Sequence, residues 1–101
     1  MVQLVEDIGL PDLSNQQIEE ICSRAEDAAR EYVFSKFNKK LIEKLDIIVE
    51  ANGMNPLRLN VEVNLVLVSG QKDLDSNKIA SEAVQEAFKA SERMMRNNGL
   101  R

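Results

Sequence analysis

The segment LRLNVEVNLVLVSG, Leu57 to Gly70, alternates with a period of two: every odd position from Leu57 to Leu67 is apolar, while the even positions run Arg58, Asn60, Glu62, Asn64 and turn apolar only at Val66 and Val68. Alternation of this kind is a strand with one dry face. Upstream, KKLIEKLDIIVEA alternates in the same way, with Leu41, Leu45, Ile47, Val49 and Ala51 on one face. The turn formers NGMNP lie between the two, which predicts an antiparallel hairpin with a loop of about five residues. Pairing Ala51 with Leu57 aligns the dry faces as Val49 with Leu59, Ile47 with Val61, Leu45 with Val63 and Leu41 with Leu67. It also sets Glu50 opposite Arg58, and Asp46 opposite Glu62.

Two stretches carry the helical period instead. LSNQQIEEICSRAEDAAREYVFSKF repeats Ile18, Ile21, Cys22, Ala25, Ala28, Ala29, Tyr32, Val33 and Phe37, an amphipathic stripe behind an N-cap at Ser14 with Gln17 three residues on. Leu13 is placed to staple onto Ile18, and Glu20–Arg24 and Glu26–Arg30 form exposed pairs of favourable order. The second helix starts near Asp75, with Leu74 stapled to Ile79, and carries Ile79, Ala80, Ala83, Val84, Ala87, Phe88, Met94 and Met95 until Gly99 stops it. Two helices and a hairpin, each with a single apolar face, predict a two-layer α+β sandwich, helix–hairpin–helix, with both helices on one face of an antiparallel sheet. Residues 1–12 read as a mobile arm, with a short added strand through Val2 and Leu4 as the alternative.

At 101 residues with 44% hydrophobic and 30% charged positions, the chain makes a single folded domain, residues 1–101. Its apolar runs are far too short for a membrane span or a signal peptide, which implies a cytoplasmic protein with no membrane contact. There is one cysteine and no histidine. That removes an internal disulfide, the usual zinc ligand set and the commonest general base, so no metal, cofactor or catalytic residue is expected and the enzyme reading is disfavoured. Cys22 lies in the apolar stripe and reads as a small core residue. The net charge of −4 opposes broad attraction to a nucleic-acid backbone.

Two surface features stand out. Lys36, Lys39, Lys40 and Lys44 form a cluster able to touch RNA phosphates, joined by Arg93, Arg96 and Arg101; both groups fall at predicted helix C-termini, where the helix dipole also favours cations. Ile42, Val66 and Val68 sit on the wet side of the hairpin at the end away from its turn, and with Met94 and Met95 they are the candidate partner interface. A two-stranded sheet has open edges, so association with a second chain follows as an expectation.

The span from LPDLSNQQIEE to NLVLVSG, followed by ASEAVQEAFKASERMMR, resembles a small archaeal family of unknown function whose genes commonly lie beside that of prefoldin beta; REYVFSK, LDIIVEA and LNVEVNL carry the likeness. That family in turn looks like a divergent paralogue of the small dimerising subunit of KEOPS, the complex that installs threonylcarbamoyl on transfer RNA adenosine. The resemblance implies a non-catalytic accessory subunit that pairs with the small subunit as a heterodimer, caps its dimerisation surface and meets tRNA only within the complex. The relative begins with a clear strand, where this chain has MVQLVED. A free-standing RNA-binding module and a homodimer associated with prefoldin are the alternatives.

Overall fold

The computed structural model describes residues 2–8, 14–52, 57–69 and 75–97. The elements run β1 (Val2–Ile8), α1 (Asn15–Lys36), a short 3-10 turn (Lys39–Leu41), β2 (Ile42–Asn52), β3 (Leu57–Leu67) and α2 (Ser76–Asn97). The expected α+β class holds, with one addition. Val2–Ile8 form the added strand that was the alternative to an arm, giving a three-stranded antiparallel sheet of order β1-β3-β2. The reason lies in β3, whose six apolar side chains alternate with polar ones; a central strand needs backbone partners on both sides, and β1 supplies the second.

α1 begins as its sequence dictates. Ser14 Oγ accepts from the Gln17 N–H at 3.1 Å, and Gln17 Oε1 accepts from the Ser14 N–H at 2.9 Å, closing a capping box. Ile21, Ala25, Ala29, Val33 and Phe37, spaced every fourth residue, are buried. Of the expected surface pairs, Arg30 meets Glu26 at 3.3 Å and Asp27 at 3.5 Å, while Glu20 and Arg24 do not pair. α2 is capped by Asp75, whose Oδ1 accepts from the Lys78 N–H at 3.0 Å, and buries Ala80, Ala83, Val84, Ala87, Phe88 and Ser91. Ser91 is a core position that periodicity alone passes over; its hydroxyl donates to the Ala87 carbonyl at 2.9 Å, and among the described residues no buried side-chain polar atom lacks a partner. The staples from Leu13 and Leu74, the turn at residues 53–56, the loop at 70–73 and the stop at Gly99 lie outside the described residues.

The hairpin forms in a register two residues away from the expected one. Ala51 faces Leu59, Val49 faces Val61, Ile47 faces Val63 and Leu45 faces Leu65. A shift of two preserves the dry face, so parity cannot distinguish the registers, but the charges can. Asp46 now stands opposite Asn64 instead of Glu62, which removes a like-charge pair, and Glu50 stands opposite Asn60 instead of Arg58. At the far end an irregularity between Ile42 and Lys44 adds one residue to β2, with Ile42 opposite Leu67 and Lys44 opposite Val66. Leu41 leaves the strand for the 3-10 turn, where its carbonyl accepts from the Val68 N–H at 2.9 Å.

The core lies between sheet and helices. α1 packs over β2, and α2 packs over β3 and β1. Leu59, Val61 and Val63 of the central strand are fully buried, whereas Leu45, Ile47, Val49 and Ala51 of edge strand β2 are half-buried against the same cluster. Among the described residues no helix covers the opposite sheet face.

Candidate interaction surfaces

The uncovered sheet face is polar at its middle. Gln3 Nε2 donates to Asn60 Oδ1 at 2.9 Å and Asn60 Nδ2 donates to Glu50 Oε1 at 3.4 Å, a row of side chains linking all three strands. Val5, Ile48 and Val66 are the exposed apolar side chains around it. At one end this face changes character. Among the described residues β1 pairs with Leu57 to Val63, and beyond Val63 the central strand has its neighbour on the β2 side. Along Asn64–Leu67 the sheet is two strands wide, and an edge of β3 is without a strand partner among the described residues.

This end contains three of the five residues expected at a partner interface, but on different faces. Val66 is on the outer face, 37% exposed and opposite Lys44. Val68 is half-buried just past the strand. Ile42 is not beside them on the wet face: the extra residue in β2 turns it to the inner face opposite Leu67, where it packs against the core cluster. Met94 is half-buried on α2, and the side chain of Met95 lies outside the described residues.

The lysine cluster also divides. Lys36 and Lys39 stand over aromatic rings, Nζ of Lys36 5.3 Å from the Tyr32 centroid and Nζ of Lys39 5.2 Å from that of Phe34. Lys40 is exposed and unpaired. Lys44 is on β2, held 3.4 Å from Asp46. Arg93 lies away from the lysines in a shallow cleft of about 290 Å³ between the helices, with Ala28, Glu31, Tyr32, Glu86, Lys89 and Ala90. The side chain of Arg96, and Arg101 as a whole, lie outside the described residues.

Beside that cleft Tyr32 ties the helices together, its hydroxyl donating to Glu82 Oε1 at 2.8 Å. The hydrogen bond to Glu82, together with partial burial and the negative charge of Glu82 and Glu86, raises the phenol above its ordinary value near 10. A group whose folded value is raised adds stability below its unfolded value and loses it as pH rises through the folded one. Tyr32→Phe should therefore lower the melting temperature slightly at neutral pH and flatten its fall above pH ~10; an unchanged alkaline limb would show that the hydroxyl is not coupled to folding. Cys22 is half-buried, and burial pushes its thiol up, which disfavours the nucleophilic thiolate. Among the described residues no cluster of histidine, cysteine or carboxylate side chains is arranged to hold a metal ion, and no helix is long and apolar enough to cross a membrane.

Comparison with known proteins matches residues 10–94 to a family described as "Protein of unknown function (DUF3194)". An uncharacterized protein of Thermococcus kodakarensis is 30% identical over 89 residues, covering 88% of this chain and 82% of the relative. A crystal structure from Thermococcus onnurineus NA1 superposes with a TM-score of 0.78 at 31% identity, over 97% of this chain and 94% of that one. The solution structure of a hypothetical protein from Methanothermobacter thermautotrophicus shares the fold, with a TM-score of 0.71 at 23% identity over 89% of this chain and 97% of that one.

Proposed function

The chain belongs to the archaeal DUF3194 family, and from that premise we propose that it acts in the cytoplasm as a non-catalytic, protein-binding accessory subunit, its partner being the small dimerising subunit of KEOPS. The observation that carries the reading is the two-stranded end of the sheet. A strand edge that is paired along Leu57 to Val63 and has no strand partner along Asn64 to Leu67 among the described residues, with Val66 exposed on the adjoining face, suits addition of a strand or loop from another chain. The N-terminal strand lends further support. The resemblance to the KEOPS relative implies a strand at the start of the fold, and Val2–Ile8 form one here.

The test is affinity capture of the tagged protein from its native cells after nuclease treatment, with co-purifying chains identified by mass spectrometry. KEOPS subunits in near-equal amounts are expected. Val66→Lys should reduce their recovery roughly tenfold, equivalent to about 1.4 kcal/mol, while melting stays within the small range usual for surface changes. Ile42→Lys is unsuited to this purpose, because Ile42 packs against the core. Capture without KEOPS subunits would overturn the partner assignment, and undiminished capture by Val66→Lys would move the interface elsewhere on the molecule.

A further inference from the structure

The edge of β3 that is left without a strand partner among the described residues differs from the other sheet edges in what guards it. Residues 63–71, VNLVLVSGQ, carry no charge, the longest such run in a chain that is 30% charged. β2 by contrast carries Glu43, Lys44, Asp46 and Glu50, has an irregularity near its start and lies under α1. Charges and bulges of that kind keep an edge from pairing. The edge along Asn64–Leu67 has neither.

We infer that this edge pairs with the same edge of a second copy of the chain, antiparallel about a two-fold axis at Val66. Opposed residues in an antiparallel pair share a face, so a symmetric register must centre on a residue rather than between two. Centring on Leu65 would require Val63, which β1 already occupies through Val2. Centring on Leu67 would carry the pairing past the end of the strand. Val66 is left. There the exposed Val66 meets its own counterpart on the outer face, and Leu65 meets the copy's Leu67 on the inner one. No charge opposes another, and the neighbouring Lys44 is already held 3.4 Å from Asp46. The helices leave room for this arrangement. α2 runs antiparallel to α1, with Glu82 beside Tyr32 and Ala90 beside Ala28, so it begins at this end of the sheet and leads away from it. A two-fold axis here sends the two copies of α2 in opposite directions. The inference shares a surface with the accessory-subunit reading but does not depend on who that partner is. Both occupants need one edge, so self-pairing holds the chain in reserve and a partner must displace the copy.

The test is the mass of the purified full chain by sedimentation equilibrium, joined to cysteine crosslinking. So short a contact belongs with weak interfaces, under about 1,200 Å²; dimer mass is expected at about 100 µM and monomer mass at about 1 µM. In a Cys22→Ala background, Val66→Cys should give a disulfide-linked dimer under mild oxidation, its two Cα atoms lying about 5 Å apart across the axis. Asn64→Cys, about 14 Å from its counterpart in this register, and Ile48→Cys, exposed on β2, should not crosslink. Val66→Lys sets like charges against each other at the axis and should weaken the dimer more than about tenfold with melting unchanged. Monomer mass at the higher concentration would overturn the inference. So would a dimer that survives Val66→Lys, or crosslinking of Asn64→Cys or Ile48→Cys equal to that of Val66→Cys. These readouts use the purified chain alone, so their failure says nothing against capture of KEOPS subunits from cells, and failure of that capture leaves the self-pairing standing.

Discussion

Leu59→Ala should remove a large part of the stability of this domain. Leu59 is in the first half of the central strand, with no exposed surface, between Glu6 of β1 on one side and Ala51 of β2 on the other. Both backbone neighbours are fixed by the sheet and α2 lies across its face, so little can move inward to fill the space left by an isobutyl group. Truncations of this kind cost about 2–5 kcal/mol, and a site that cannot collapse belongs in the upper half of that range. Domains of this size hold about 5–15 kcal/mol in total. The melting temperature should fall by roughly 10–25 °C and the urea midpoint by about 1–3 M, with the slope unchanged. Val66→Ala, on the same strand but facing outward, is the internal control and should cost well under ~1 kcal/mol. Similar losses at the two positions would mean that the packed face of β3 is not where the structure puts it.

The contrast between those two positions was legible in the sequence, because alternation reports which face of a strand is dry. Register was not legible in the same way. A two-residue slide leaves Leu45, Ile47, Val49 and Ala51 facing the same side, and only second-order terms, such as the separation of Asp46 from Glu62, decide between registers. Ile42 shows the limit of strict alternation, since one extra residue near the start of β2 moves it to the opposite face. β1 is written in seven residues, VQLVEDI, whose pattern is too short to declare itself; its pairing is decided by the demand of β3 for a second neighbour. The surface features fared in proportion to how local they are. The lysines could be found by counting along the chain, but their division into two that cover rings, one free and one paired to Asp46 depends on tertiary placement. Phe34 lies off the apolar stripe of α1 and is exposed, as its spacing implies, while its contact with Lys39 depends on the turn after the helix.

The interface between the helices yields the second large effect, through volume added instead of removed. Ala25 and Ala29 of α1 and Ala80, Ala83 and Ala87 of α2 are all buried, with at most 2% exposure. Small residues let helix axes approach toward the near end of the usual 8–10 Å range, and that spacing then fits every other contact in the layer. Ala29→Leu adds three carbons at a position with no free surface. Its intrinsic helix propensity changes little and its apolar character increases, so any destabilisation must come from steric displacement of α1 from α2 or from β2. A cost of about 1–3 kcal/mol is expected, read as a fall in melting temperature of roughly 5–20 °C. Ala28→Leu makes the same chemical change one residue earlier, where the side chain is half-buried at the rim of the shallow cleft and can lie along Ala90. It should be neutral within about 0.5 kcal/mol or slightly stabilising. A loss at Ala29 with none at Ala28 would establish that helix spacing, set by alanine, is what the core is built around. Equal tolerance at both would mean that the helices can separate without disturbing the sheet.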